Sequence, residues 1–326
     1  MGVRGPDVTR EKQRGLAGVI DTLSAGYTTV NRCPWIIAVP VLLDLFFWLG
    51  HHLSLAPLVQ DLLVRMQDTA GRSDDLLLAY PEYWESLGRA GEQYNLFSLL
   101  AIHFPGLPSL MSTREGLGPK IALSDPWAAL GLSVLLPVLG VLLASIYYVA
   151  ISRQVKGAAE GVGELWGRVW KSWGRFLGFM FLAAGIGLLF GLPLLVLVFV
   201  VASINSSVLG IVASLVWLAF LWIGFYLFFV AAAMVISDVG PIQAVRNSVA
   251  VIRFNPGSAL GLVALIWLIQ LGMPIVWDAI AQNAVGTVAG VLGNAYIATG
   301  LTAASMIYYR DRIAAISGGM QWRQSS

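Results

Sequence analysis

Six apolar runs separated by polar segments set the plan of this chain. Five of them, at 127–151, 176–202, 209–236, 259–280 and 285–309, are long enough to cross a bilayer, for which about 20 residues are needed. The first, at 35–50, is shorter and contains Pro40 and Asp44. Before every second run the apolar positions change to helical period. Leu16, Val19, Ile20, Leu23, Tyr27 and Val30 keep that period until Asn31-Arg32-Cys33-Pro34 breaks it. Leu165, Trp166, Val169, Trp170 and Trp173 oppose Arg168, Lys171 and Arg175 ahead of Gly174. Ile242, Val245, Val249 and Ile252 oppose Gln243, Arg246, Asn247 and Arg253, between Gly240-Pro241 and Asn255-Pro256-Gly257. Proline is tolerated in a first helical turn, where its missing donor has no partner anyway, and Asn-Pro-Gly stops a helix.

The pattern predicts an all-α polytopic membrane protein with six transmembrane helices, three cytoplasmic interfacial amphipathic helices and one long outer loop. Residues 1–15 read as a cytoplasmic arm without the apolar core of a secretory signal, and 16–326 as a single six-helix membrane domain. Each amphipathic segment precedes a membrane hairpin, so 16–151, 164–236 and 241–309 read as three parallel copies of one unit. The outer loop, 51–125, carries an amphipathic helix with Leu55, Leu58, Val59, Leu62, Leu63 and Met66 on one face. An aromatic, acidic patch follows at 80–85, which suits an interfacial anchor. The apolar piece at 96–108 is too short to span and is interrupted by proline, so it should lie on the membrane or re-enter it.

Composition agrees: 57% of residues are hydrophobic and 12% charged, far from an ordinary soluble domain. A net charge of +2 gives a nucleic-acid partner no electrostatic support. The distribution of charge is more informative. Fifteen of the 20 Lys and Arg residues fall on the side that holds both termini, and the short loops at 203–208 and 281–284 have none. By the positive-inside rule that side is cytoplasmic, in a multi-pass protein of the plasma membrane.

Candidate chemistry is sparse. A carboxylate in a span is costly and marks a site by default, which singles out Asp44. The alternative places Asp44 near the outer interface, bonded to a neighbouring helix, and no second ionisable residue in the membrane core could complete a proton relay with it. Gln270 and Asn294 read as interhelical hydrogen-bonding residues. His51, His52 and His103 match no metal-ligand spacing, and the single Cys33 excludes an intramolecular disulfide. No nucleophile elbow, nucleotide loop or paired carboxylates are present, so neither an enzyme nor a cofactor is expected. Arg168, Lys171, Arg175, Arg246 and Arg253 are the candidate contacts to anionic lipid headgroups.

The acidic Asp238, Gly240-Pro241, the Ala244-Val245-Arg246-Asn247-Ser248 helix and the Asn255-Pro256 break resemble the membrane domain of the glycerophosphodiester phosphodiesterase membrane-domain family and its prokaryotic relatives. The closing Ile307-Tyr308-Tyr309-Arg310-Asp311-Arg312 is similar to the end of that family's last span. The resemblance covers the membrane domain only and brings no catalytic residue with it. The family's stand-alone members bring no established activity. With no catalytic motif in the chain, the remaining reading is a non-catalytic membrane module whose interfacial helices and outer loop engage membrane lipids or a membrane-protein partner. The other reading is a transporter of a lipid or other apolar substrate.

Overall fold

A backbone in hydrocarbon has no water to bond to, so each apolar run closes its hydrogen bonds as a helix. The computed structural model describes residues 17–70, 93–157, 161–204 and 206–324, with 86, 88, 89 and 91. The arm at 1–15 and the aromatic patch at 80–85 lie outside the described residues. In chain order the elements are α1 (Val19–Arg32), a 3-10 turn (Pro34–Ile37), α2 (Ala38–Leu49), β1 (His52–Ser54), α3 (Ala56–Ala70), a second 3-10 turn (Leu96–Leu100) and β2 (Lys120–Ala122). Then come α4 (Pro126–Lys156), α5 (Val162–Ile186), a π turn (Gly187–Gly191), α6 (Leu192–Ile204), α7 (Ser206–Leu227), α8 (Val230–Ile236), α9 (Pro241–Phe254), α10 (Pro256–Ile280) and α11 (Ala284–Gln324). The chain is an all-α, multi-pass membrane protein. Among the described residues, five helical stretches are long and apolar enough to cross a bilayer, and six if the bent pair α1 and α2 is one crossing.

Three features depart from the pattern read in the sequence. First, α1 does not stand apart as a separate surface helix. It runs antiparallel along α11, from the Arg312 guanidinium, which donates to the Ala17 carbonyl at 3.0 Å, to Tyr296, whose hydroxyl donates to Asn31 at 2.9 Å. The two helices cross where Gly26 meets Gly300 and Ala304, a contact that leaves no room for a Cβ. Small residues permit this approach, which apolar periodicity alone does not reveal. The chain then turns by 97° at Cys33-Pro34 into α2.

Second, α5 is unbroken through Trp173-Gly174 and continues through the π turn into α6. A glycine in a helix interior costs only about 1 kcal/mol, too little to stop a helix that runs on into an apolar stretch, where a break would leave backbone groups without water to bond. The break that the threefold repeat places before its second hairpin, at Trp173-Gly174, is therefore absent.

Third, α9 lies among α5, α8 and α11 and buries Ala244, Ser248, Val251 and Ile252, whereas Ile242 is exposed. Its packed face carries Ala244 and Ser248 beside Val251 and Ile252, and the neighbouring α8 is alanine-rich, which admits a close approach. Ser248 also repairs a defect. The helix is interrupted between α7 and α8, and the Ser248 hydroxyl accepts from the Phe229 amide at 3.2 Å and donates to the Tyr226 carbonyl at 2.7 Å. Two backbone groups freed inside the membrane are thereby satisfied.

The two ends of the loop between α2 and α4 are tied by a parallel pairing of β1 with β2, which the sequence reading did not anticipate. Strands of three residues are too short to carry a period. Asn95 fixes the pairing to the second 3-10 turn by accepting from the Leu53 amide at 3.0 Å and the Phe97 amide at 3.1 Å.

Candidate functional site

Residues 96–114 re-enter the helical bundle from the loop-bearing face. His103 and Leu100 sit against Gly140, which lies 14 residues, about 21 Å along the axis, from the start of α4. Phe104 packs on Phe179 with ring centroids 4.5 Å apart. Irregular backbone at this depth is tolerated only where protein surrounds it, and Ala101, Leu107, Leu110 and Met111 are all buried.

Asp44 holds this segment. Its carboxylate is fully buried on α2 and accepts from the Leu110 amide at 3.0 Å, the Met111 amide at 3.0 Å and the Ser109 hydroxyl. Ser109 also accepts from the Ser112 amide at 3.0 Å. Helical geometry would have paired those amides within the segment; the irregular chain delegates them to a side chain from another element. Next to this clamp, a cavity of about 260 Å³ opens between the re-entrant segment, α10 and α11, with Ser109, Gln270 and Asn294 in its wall.

The opposite, basic face carries the arginines singled out in the sequence, and the fold divides them. Arg168 is turned inward: its guanidinium donates to Ser152 Oγ at 2.7 Å and to the Val235 carbonyl at 3.3 Å. Lys156 reaches the same carbonyl at 3.2 Å, so two cations meet the negative C-terminal end of α8. Arg175 pairs with Asp238, which sits at φ 55° in the turn before α9. The hydrogen bond from Arg175, with the charges of Arg175, Lys171 and Lys156, holds the Asp238 carboxyl below the usual carboxylate range against partial desolvation. Lys171, Arg246 and Arg253 are exposed.

The tyrosine pair at the end of the last apolar run forms a hub that sequence reading missed. Tyr309 bonds Ser237 at 2.7 Å and Asn247 at 3.1 Å, and Tyr308 bonds Ser258 at 2.7 Å while stacking on Phe229 at 5.3 Å. Asn247, expected to face headgroups, is thus turned to the protein.

A polar cleft of about 470 Å³ lies between α1 and the basic-face ends of α4 and α11. Its wall includes Asp21, Ser24, Thr28, Arg32, Gln154 and Arg310. Arg310 is anchored by Asp311 and the Val155 carbonyl. The guanidinium of Arg32 has no hydrogen-bond partner among the described residues and lines the cleft. Arg32 and Arg310 were not among the candidates, because only the folding of α1 onto α11 brings them to one cleft. Compared with protein families, with curated proteins and with solved structures, the chain matches none.

Proposed function

We propose that this protein is a non-catalytic module of the plasma membrane that holds anionic lipid headgroups at its cytoplasmic, basic face. The observation that carries the reading is Arg32, a cation in a hydroxyl-rich cleft beside the anchored Arg310. Guanidinium suits phosphate because its fork of donors matches the oxygens, and the Ser24 hydroxyl in the same wall can donate as well. Exposed Lys171, Arg246 and Arg253 extend the basic rim, each adding about 1 kcal/mol of attraction near an anionic surface. Kinship with the membrane-domain family named above is part of the same proposal and rests on the Gly240-Pro241 helix and the Tyr308-Tyr309 ending.

The test is binding of phosphatidylglycerol to the purified full-length protein, followed by native mass spectrometry against phosphatidylcholine. Arg32→Ala should lower phosphatidylglycerol retention about fivefold, on the scale of one charge near the surface. Equal retention of both lipids by the unaltered protein would remove the reading. Orientation has its own check. Reporter fusions at Gly71 and Gly157 are expected on opposite sides of the membrane, with Gly157 in the cytoplasm; the same side for both would refute the topology.

A second reading, a permease for a lipid or other apolar substrate, is favoured by one observation. The apolar pair α1 and α2 is bent by 97°, and residues 96–114 enter the bundle as irregular chain; discontinuous elements of this kind build transporter sites near the midplane. Accelerated movement of labelled lipid between leaflets of reconstituted vesicles would bring this reading forward.

A further inference from the structure

Gln270 and Asn294 stand ten residues from the loop-face ends of α10 and α11 respectively, about 15 Å along each axis. That is half of a hydrocarbon core of roughly 30 Å, so both amides lie near the bilayer midplane. Sequence logic makes them hydrogen-bonding residues between helices. The structure shows otherwise: both line the cavity beside Ser109, and among the described residues neither side chain has a hydrogen-bond partner. Two unpaired amides at this depth are costly, since lipid tails offer nothing to bond. Ser109 completes the group. Its hydroxyl donates to Asp44 and accepts from the Ser112 amide, which leaves one lone pair for another donor.

We propose that this cavity is a binding site for a neutral, hydroxyl-bearing lipid of the diacylglycerol type, entering sideways from the bilayer. The chemistry of the wall selects the class. Carboxamides donate to an ester carbonyl and exchange hydrogen bonds with a hydroxyl, and Ser109 accepts from that hydroxyl. No Lys or Arg lines the cavity, so a phosphate entering it would lose its water without gaining a cation in the wall. Gln270 is exposed on the bundle surface, which places one amide at the lipid-facing mouth. Met273, Pro274 and Ile297 give the acyl chains an apolar path out. The site is separate from the arginine cleft on the basic face and does not depend on it.

The experiment uses full-length protein in nanodiscs with dioleoylglycerol and, separately, dioleoylphosphatidic acid as probes. Gln270→Leu/Asn294→Leu should weaken dioleoylglycerol binding about tenfold, equivalent to ~1.4 kcal/mol. The same change should leave phosphatidic acid binding unaltered and the thermal unfolding temperature unchanged or raised, because it removes unpaired amides from hydrocarbon. Arg32→Ala should leave dioleoylglycerol binding intact. Three results would overturn the proposal: undiminished dioleoylglycerol binding by the double variant, an equal loss of phosphatidic acid, or conversion of a dimer to monomers by the double variant with no change in lipid binding. The last would mean that Gln270 and Asn294 pair with a second copy of the chain.

Discussion

Replacing Asp44 by alanine is expected to lower stability by about 3–5 kcal/mol, from roughly 1–3 kcal/mol for each buried donor left without its acceptor. The residue touches no solvent and serves three donors from a segment 65 to 67 positions away. Without it, the Leu110 and Met111 amides and the Ser109 hydroxyl are left at a depth where each unsatisfied group costs several kcal/mol. Asp44→Asn should fall between alanine and the unaltered protein, since the amide oxygen can still accept from the Met111 amide and the Ser109 hydroxyl while its NH2 is turned toward the Leu110 amide. The measurement is thermal unfolding in mild detergent, paired with maleimide labelling of a cysteine placed at Met111 in a Cys33→Ser background. Alanine should lower the transition and open Met111 to labelling. An unaltered transition with Met111 still protected would show that the clamp holds nothing. The same Asp44→Asn variant checks for a proton relay: loss of a proton-coupled flux without loss of folded protein would show that Asp44 takes part in one.

The second large effect is expected at the crossing of α1 and α11. A leucine at Gly26 would meet the Gly300 carbonyl and approach Ala304 to 2.7 Å or less, and a leucine at Gly300 would enter the Tyr27 ring. Backbone cannot yield as a flexible side chain can, so the cost should reach or exceed the ~1–3 kcal/mol typical of overpacking. Both variants should give little monodisperse protein in detergent. Gly272→Leu is the matched control, because nothing lies within 4 Å of a Cβ built there. If Gly26→Leu behaved like Gly272→Leu, α1 would not rest on α11, and the cleft with Arg32 and Arg310 would not exist as described.

What the sequence determined by itself is the membrane plan. Hydrocarbon thickness imposes a minimum length on every crossing, and the lack of water imposes helices, so apolar runs of 22 to 28 residues translate directly into α4, α5 with α6, α7 with α8, α10 and α11. The same rule kept the proline-interrupted piece at 96–108 from being a span, leaving it to lie on the membrane or re-enter it, and made Asp44, Gln270 and Asn294 stand out as polar residues in apolar surroundings. What only the tertiary structure decided is where each face points. In water an apolar stripe has one destination, the core; in a membrane it satisfies lipid and protein equally, so the periods in α1, α5 and α9 could not say which. The choice was made by shape: Gly26 against Gly300, and α9, with the small Ala244 and Ser248 in its buried face, against the alanine-rich α8. The partners of the polar residues were likewise invisible, because Asp44 meets Ser109, Arg168 meets Val235 and Arg312 meets Ala17 across separations of 65, 67 and 295 residues, and no local period encodes such distances.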